Sequence, residues 1–273
     1  SGTDDINVDY VRPFTGGSRM IQRGWMSPRE VLTESVVFFA MGGAIGLYLA
    51  YTRGWIVLIL GIIGIGSGFF YTAPPFRFVS RGYGEVFIGL NFGVLMTLGA
   101  YYVQTQVLSW EAVYPSIPVA ILITAVLYIN EFPDHDADKA VGKFTVVVRL
   151  GRARAAKGYG ILMVSLYLSI LLPILLFLTN WFTVLGAMTF PFAVLATRYA
   201  LTHYDQSLPL TPAYASTVAN HLFTGLFLSW SYLLVGLGRE PICILIWGSV
   251  FLAISCCFYL FTERKAKAAA SQI

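Results

Sequence analysis

The sequence predicts an all-α protein, a polytopic transmembrane bundle of about eight helices. Three observations carry this. Of the 273 residues, 57% are hydrophobic and 12% are charged, with a mean hydropathy of +0.70, whereas soluble domains average about 45–50% apolar and about 25% charged. Apolar runs long enough to cross a bilayer, roughly 17–25 residues, recur at about 30–51, 54–72, 85–106, 112–132, 153–178, 181–201, 214–236 and 241–262. With that count, all of the 18 Lys and Arg except Arg53 and Arg239 fall on one side. The bias is that of cytoplasmic loops, and a wrong helix count would scramble it. Both termini and all the long loops are therefore expected in the cytoplasm, with the chain in a cytoplasmic (inner) membrane.

Taken in order, the chain opens with a polar stretch, residues 1–29, that starts on Ser1 and carries Asp4, Asp5, Asp9, Arg12, Arg19 and Arg23. It shows no signal-peptide pattern, as expected of a processed chain or a fragment. The first two spans are rich in glycine (Gly42, Gly43, Gly46, Gly61, Gly64, Gly66, Gly68), and small residues let helix backbones approach closely in lipid. Gly64-x-Gly66-x-Gly68 lies inside a helix and follows no strand, so it is not a nucleotide loop. A charged connection at 73–84 leads to the spans at 85–106 and 112–132, and a second, at 133–152, to the remaining four. Asn220 and His221 are polar residues inside a span and are expected to face the bundle interior. Cys243, Cys256 and Cys257 share one late span with no metal spacing, and read as small hydrophobes. The net charge of +4 gives no argument for nucleic acid.

The chemistry is concentrated in the connections. Residues 130–151 carry Glu131, Asp134, Asp136 and Asp138 with Lys139, Lys143 and Arg149. Asn130, Asp134 and Asp138 are four apart and would form one stripe on a helix. Pro133 predicts a break, with the membrane helix ending near Phe132 and a short helix restarting at Pro133. Asp134 and Asp138 still share a face of that second helix, and Asp136 points elsewhere. Mg²⁺ takes one or two carboxylates completed by waters and phosphate oxygens, so this pair suits a metal shared with a phosphate ligand; a solvated acidic loop is the plain alternative. Gly142-Lys143-x-Thr145 is not a nucleotide P-loop, because Ala137 stands where that motif needs glycine. The other connection offers Tyr71, Arg77 and Arg81 on the same side, either for phosphate oxygens or as positive-inside anchors. Phe69, Phe70, Phe92, Tyr101, Tyr102 and Tyr128 are candidates to line a cavity, where aromatic faces stabilise a cation, or to pack.

These residues resemble the UbiA superfamily of intramembrane aromatic prenyltransferases. Asn130, Asp134, Asp138, Gly142-Lys143-Phe144-Thr145 and Val148-Arg149-Leu150-Gly151 match its second aspartate motif. Tyr71-Thr72, Pro75, Arg77 and Gly82-Tyr83-Gly84-Glu85 match its inter-helix loop. The Gly82–Glu85 segment and the opening at 16–28 look most like the menaquinone-pathway branch, which attaches a polyprenyl chain to 1,4-dihydroxy-2-naphthoate with loss of carbon dioxide. The resemblance implies Mg²⁺ as cofactor, with Asp134, Asp138 and Asp4 as metal ligands. It implies Arg77, Lys143, Arg19 and Tyr71 as diphosphate contacts, and Asn130 as an orienting residue beside the catalytic Asp134 and Asp138. The partners it implies are a polyprenyl diphosphate, a naphthoate-type aromatic acceptor and the bilayer, with no nucleic acid. Of the family's first aspartate motif only Gly2-Thr3-Asp4 is present, so the chain reads as lacking the first two helices. Residues 1–273 are then one partial prenyltransferase domain, expected to be inactive alone, and 241–262 an extra C-terminal span. Other acceptors within the superfamily (4-hydroxybenzoate, homogentisate, haem, chlorophyllide, archaeal lipid) remain open. A cation-coupled transporter or channel is the alternative of another class; it is disfavoured because no span carries a central Asp or Lys.

Overall fold

The computed structural model describes residues 3–7, 15, 17–239 and 241–270, without the side chains of Thr3, Asp4 and Ala270. Eight helices are long and apolar enough to cross a membrane: α1 (Pro28–Arg53), α2 (Trp55–Thr72), α3 (Gly84–Thr105), α4 (Trp110–Ala140), α5 (Arg152–Leu175), α6 (Trp181–Thr202), α7 (Thr211–Gly236) and α8 (Ile242–Ala269). They coincide with the eight apolar runs of the sequence, and no strand occurs among the described residues. The protein is a multi-pass membrane protein.

Local chemistry sets the ends. Ser27 caps α1, accepting from the Glu30 amide, while the Glu30 carboxylate accepts from the Ser27 amide; the reciprocal pair satisfies two amides that the first turn leaves open. Gly54, at φ 110°, makes the tight turn into α2. Ser109 caps α4 by accepting from the Glu111 amide. Asn180 does the same for α6 through the Phe182 amide.

The centre of the bundle lies where α4, α5, α6 and α7 meet. Leu122, Ile129, Phe132, Tyr159, Leu166 and Tyr214 are all buried there. Polar side chains tie these helices together inside the apolar packing. The hydroxyls of Tyr159 and Thr217 are 2.6 Å apart, those of Thr189 and Thr224 are 2.8 Å apart, and Thr224 donates to Asn220 at 3.1 Å. Such bonds are worth about 0.6 kcal/mol each on average within a membrane. Asn220 is fully buried and faces the bundle interior as expected. α8 packs through a stacked Phe227–Phe251 pair and through Trp230 against Trp247. By contrast α1 buries no residue; Phe38, Phe39 and Tyr48 stand 60–66% exposed, apolar surface that suits contact with lipid rather than water.

α3 approaches α4 through glycine. A Cβ on Gly89 would stand 2.6 Å from the Thr124 hydroxyl, and one on Gly93 would overlap Ala120. Directly after Gly89, Leu90–Leu95, which includes Gly93, adopts π-helical turns, a device that inserts an extra residue into a helix. It carries Asn91, which donates to the Phe87 carbonyl at 2.7 Å and accepts from Ser67 of α2 at 2.8 Å.

The expected break at Pro133 does not occur. α4 runs unbroken for 31 residues through Pro115, Pro118 and Pro133. Proline removes one helical hydrogen bond and crowds the preceding turn, yet Glu131, Phe132 and Pro133 are all buried among neighbouring elements, and such packing sustains proline-containing membrane helices. At 1.5 Å per residue α4 is about 47 Å long, against a hydrocarbon core of about 30 Å. Its last turns, with Asp134, Asp136 and Asp138, therefore extend the helix past the apolar zone. The acids sit on the continuation of the membrane helix itself, not on a separate short helix restarting at Pro133.

Candidate active site

Asp134 and Asp138 lie one turn apart on α4, and each already has a partner. Asp134 is half-buried and accepts from the Asn7 side chain at 2.5 Å. Asn7 belongs to the opening segment, just after a short helix, Thr3–Ile6, that packs on α4. Arg19, with a left-handed φ of 51°, donates to the Asn7 carbonyl at 2.7 Å. The opening segment is thus drawn to the acidic end of α4, with Arg19 beside it.

Asp138 is fully buried and pairs with Lys143, whose Nζ lies 2.9 and 3.1 Å from its two oxygens. Asp136 points away: it is 70% exposed and pairs with Arg152 at 3.1 Å and with the His135 ring at 2.7 Å. Arg152 also donates to the Phe132 carbonyl at 3.0 Å, fastening the start of α5 to the end of α4.

The two charged connections are clasped together over this end of the bundle. The Phe144 amide donates to the Ser80 carbonyl at 3.0 Å. Arg149, at the end of a short helix Val146–Leu150, donates to the carbonyls of Phe144 and Arg81, both at 3.0 Å. Its guanidinium crosses Gly82, where a Cβ would stand 2.7 Å from Nε; hence glycine there, at φ 72°. The Glu85 carboxylate accepts from the Val146 amide at 2.7 Å. Arg149 and Glu85 therefore explain the Val-Arg-Leu-Gly and Gly-x-Gly-Glu patterns as one mutual latch.

Of the other expected site residues, Tyr71 ends α2 half-buried, its ring packed against Gly84. Arg77 is exposed in the loop, in a left-handed conformation (φ 46°). Asn130 lies half-buried on α4 one turn before Asp134. The side chain of Asp4 lies outside the described residues, as do Asp9 and Arg12. A run of rings, Phe69, Phe70, Phe76, Phe78 and Phe87, continues from α2 through the loop to α3, with successive centroids 3.8–5.6 Å apart. Beside it a groove of about 870 Å³ opens between α1, α2 and α3, from Tyr71 along Gly64, Phe87, Asn91 and Phe92 toward Gln104.

Among the described residues no three His, Cys, Asp or Glu side chains converge as a ready metal cage. The site offers two carboxylates a turn apart, a donor set that fits a hard divalent cation only if a ligand supplies further oxygens. Asn7 escaped the sequence reading. Its one signal was its place in a polar segment already bearing acids and arginines.

A helical membrane protein with a latched pair of charged loops over an acidic helix end defines the class: an intramembrane helical bundle with a polar site at one membrane face. Within that class, residues 5–213 match the UbiA prenyltransferase family, and the chain belongs to it. It is 33% identical to the 2-carboxy-1,4-naphthoquinone phytyltransferase of Synechocystis sp., over 74% of this chain and 66% of that protein. It is 32% identical to the 1,4-dihydroxy-2-naphthoate octaprenyltransferase of Mycobacterium tuberculosis, over 71% and 63%. The UbiA prenyltransferase domain-containing protein 1 of Gallus gallus is 27% identical over 79% and 63%. The chain thus spans less than two-thirds of the length of these relatives. No solved structure matches it.

Proposed function

We propose that the protein transfers a polyprenyl group from its diphosphate to 1,4-dihydroxy-2-naphthoate, at the cytoplasmic face of a cell membrane. The observation that carries this reading is the Asp134/Asp138 face at the end of α4, with Lys143 paired to Asp138, Asn7 joining Asp134 to Arg19, and the Arg77 loop latched to the segment that follows Lys143. Family membership and the naphthoate-acting relatives support the acceptor, and the one-sided distribution of Lys and Arg supports the orientation.

Asp134 and Asp138 would hold Mg²⁺, which, when bound, neutralises the diphosphate and makes it a better leaving group. Lys143, paired with Asp138, and Arg19, bonded to the Asn7 carbonyl, would meet the phosphate oxygens, with Arg77 from the exposed loop. Asn7 holds the Asp134 carboxylate in place, and Asn130 lies on the same stripe. As the C–O bond breaks, the diphosphate leaves with the electron pair and the allylic carbon becomes cationic. The Phe69–Phe87 ring series offers π faces to that charge. The acceptor ring forms the new C–C bond, and its carboxylate leaves as carbon dioxide. The groove beside Tyr71, lined by Gly64, Phe87 and Phe92, has the apolar character a polyprenyl tail requires.

Prenyl transfer measured in membranes carrying the protein, with 1,4-dihydroxy-2-naphthoate and with 4-hydroxybenzoate, tests the acceptor: transfer to the second alone overturns it. Mg²⁺-dependent diphosphate release, lost in both Asp134→Ala and Asp138→Ala, tests the metal face; turnover in both variants overturns it.

A further inference from the structure

The groove between α1, α2 and α3 carries polar side chains at its two ends, Tyr71 and Gln104, and at one level between them. That level is made by Ser67, one helical turn before Tyr71 on α2, and by Asn91, on the π-helical turns of α3. The Asn91 amide is fixed on two sides. Its Oδ1 accepts from the Ser67 hydroxyl at 2.8 Å, and one N–H donates to the Phe87 carbonyl at 2.7 Å. The reverse placement of the amide would set two carbonyl oxygens against each other, so the contacts select this one. An asparagine amide has two N–H groups, and the second takes no partner among the described residues. The Ser67–Asn91 bond ties α2 to α3, which accounts for the oxygen but leaves the second N–H without a role. In an apolar wall such a donor costs free energy until an acceptor meets it.

A polyprenyl tail has no acceptor to offer, whereas a hydroxylated aromatic ring does. In the product of the proposed reaction the ring is bonded to the first carbon of the tail. A groove that holds the tail from Tyr71 toward Gln104 therefore has the ring at its head. Asn91 lies near that head: α3 runs on for about 20 Å from Asn91 to Gln104. The facing wall leaves room for a flat ring pair. Gly61, Gly64 and Gly68 of α2 line the groove there, and even a Cβ on Gly64 would stand 4.0 Å from the Asn91 oxygen. We propose that Asn91 recognises the aromatic acceptor: its second N–H donates to a ring hydroxyl oxygen, and Ser67 braces the amide for that contact. The identity of the ring rests on the prenyl-transfer reading above.

Calorimetric titration of the purified protein with 1,4-dihydroxy-2-naphthoate, 1-hydroxy-2-naphthoate and 4-hydroxy-2-naphthoate tests this without turnover. The wild type should bind the analogue that lacks the bonded hydroxyl about tenfold more weakly than the parent, the scale of one lost hydrogen bond. Asn91→Leu, of similar volume, should lose about tenfold for the parent and bind parent and analogue alike. Ser67→Ala breaks the same α2–α3 bond and keeps the N–H, so it should share the fall in thermal midpoint and still discriminate. Asn91→Ala takes the place of Asn91→Leu if the latter does not fold. Equal binding of all three compounds by the wild type, or binding of none, overturns the ring contact. So does discrimination that survives in the Asn91 variants, or that is lost as fully in Ser67→Ala. Prenyl-transfer assays on the same preparations separate the contact from the function. Transfer to the naphthoate without Asn91-dependent binding overturns the ring contact alone. Asn91-dependent binding in a protein that transfers no prenyl group to any acceptor upholds the contact and overturns the functional reading instead.

Discussion

Replacing Lys143 by methionine separates the structural work of its ammonium from any contact with substrate. Asp138 is fully buried and Lys143 retains 22% side-chain exposure. Both carboxylate oxygens lie within 3.1 Å of Nζ. Methionine keeps most of the apolar stem and removes the charge, leaving the Asp138 carboxylate without its cation. Removing one partner of a buried pair costs about 3–5 kcal/mol; the partial exposure of Lys143 lets water screen the loss, which places the expected cost at the low end, about 3 kcal/mol. Asp138→Asn removes the same pair from the other side, and in Lys143→Met/Asp138→Asn no bare charge remains. The double variant should therefore be more stable than the sum of the singles, with a coupling within the roughly 0.5–3 kcal/mol found for directly interacting residues. The assay is reversible denaturation of the purified protein in detergent without diphosphate or Mg²⁺, so that substrate contacts play no part. Additive losses, or a stable Lys143→Met single variant, would refute the buried-pair argument.

Further outcomes follow from the same geometry. Asn7→Ala should weaken Mg²⁺-plus-diphosphate binding by about 10–100-fold, the usual effect of losing a residue that orients a metal ligand, as read by calorimetry. Inorganic diphosphate with Mg²⁺ should raise the thermal midpoint of the wild type, as a ligand specific to the native state does, and should leave that of Asp134→Ala unchanged. Gly93→Ala should destabilise by about 1–3 kcal/mol through overlap with Ala120, and adding Ala120→Gly should recover part of the loss in the same denaturation series. Arg149→Ala should increase hydrogen exchange in both 78–85 and 142–151, because its guanidinium bonds to carbonyls in each; a change in one segment alone would show that the latch is not shared.

The eight spans were legible because each is a long apolar run, and lipid demands such runs of any helix that crosses it. The acidic stripe was legible from its four-residue spacing alone. The break at Pro133 was misjudged because local propensity argues for an end there, while burial of Glu131, Phe132 and Pro133 holds the helix together. The same packing carried the acids onto the end of one long helix, not onto a separate short one.

Other features depend on contacts distant in sequence. Arg149 read as part of a motif, and only the fold shows that it spans 68 residues to reach the Arg81 carbonyl. Asn7 meets Asp134 across 127 residues, a contact that no spacing rule brings together. Glu85 and Glu131 each stood in plain view as an acid near a helix end; that both are buried became evident only in the fold, where α3 closes on α4 through Gly89 and Gly93. Composition and periodicity determined that this chain is a membrane bundle with its charge at one face, because lipid acts on every residue of a span alike. Which acid meets a lysine, which an asparagine and which a backbone amide was decided by helix packing, because hydrogen bonds form between neighbours in space and the sequence records neighbours only along the chain.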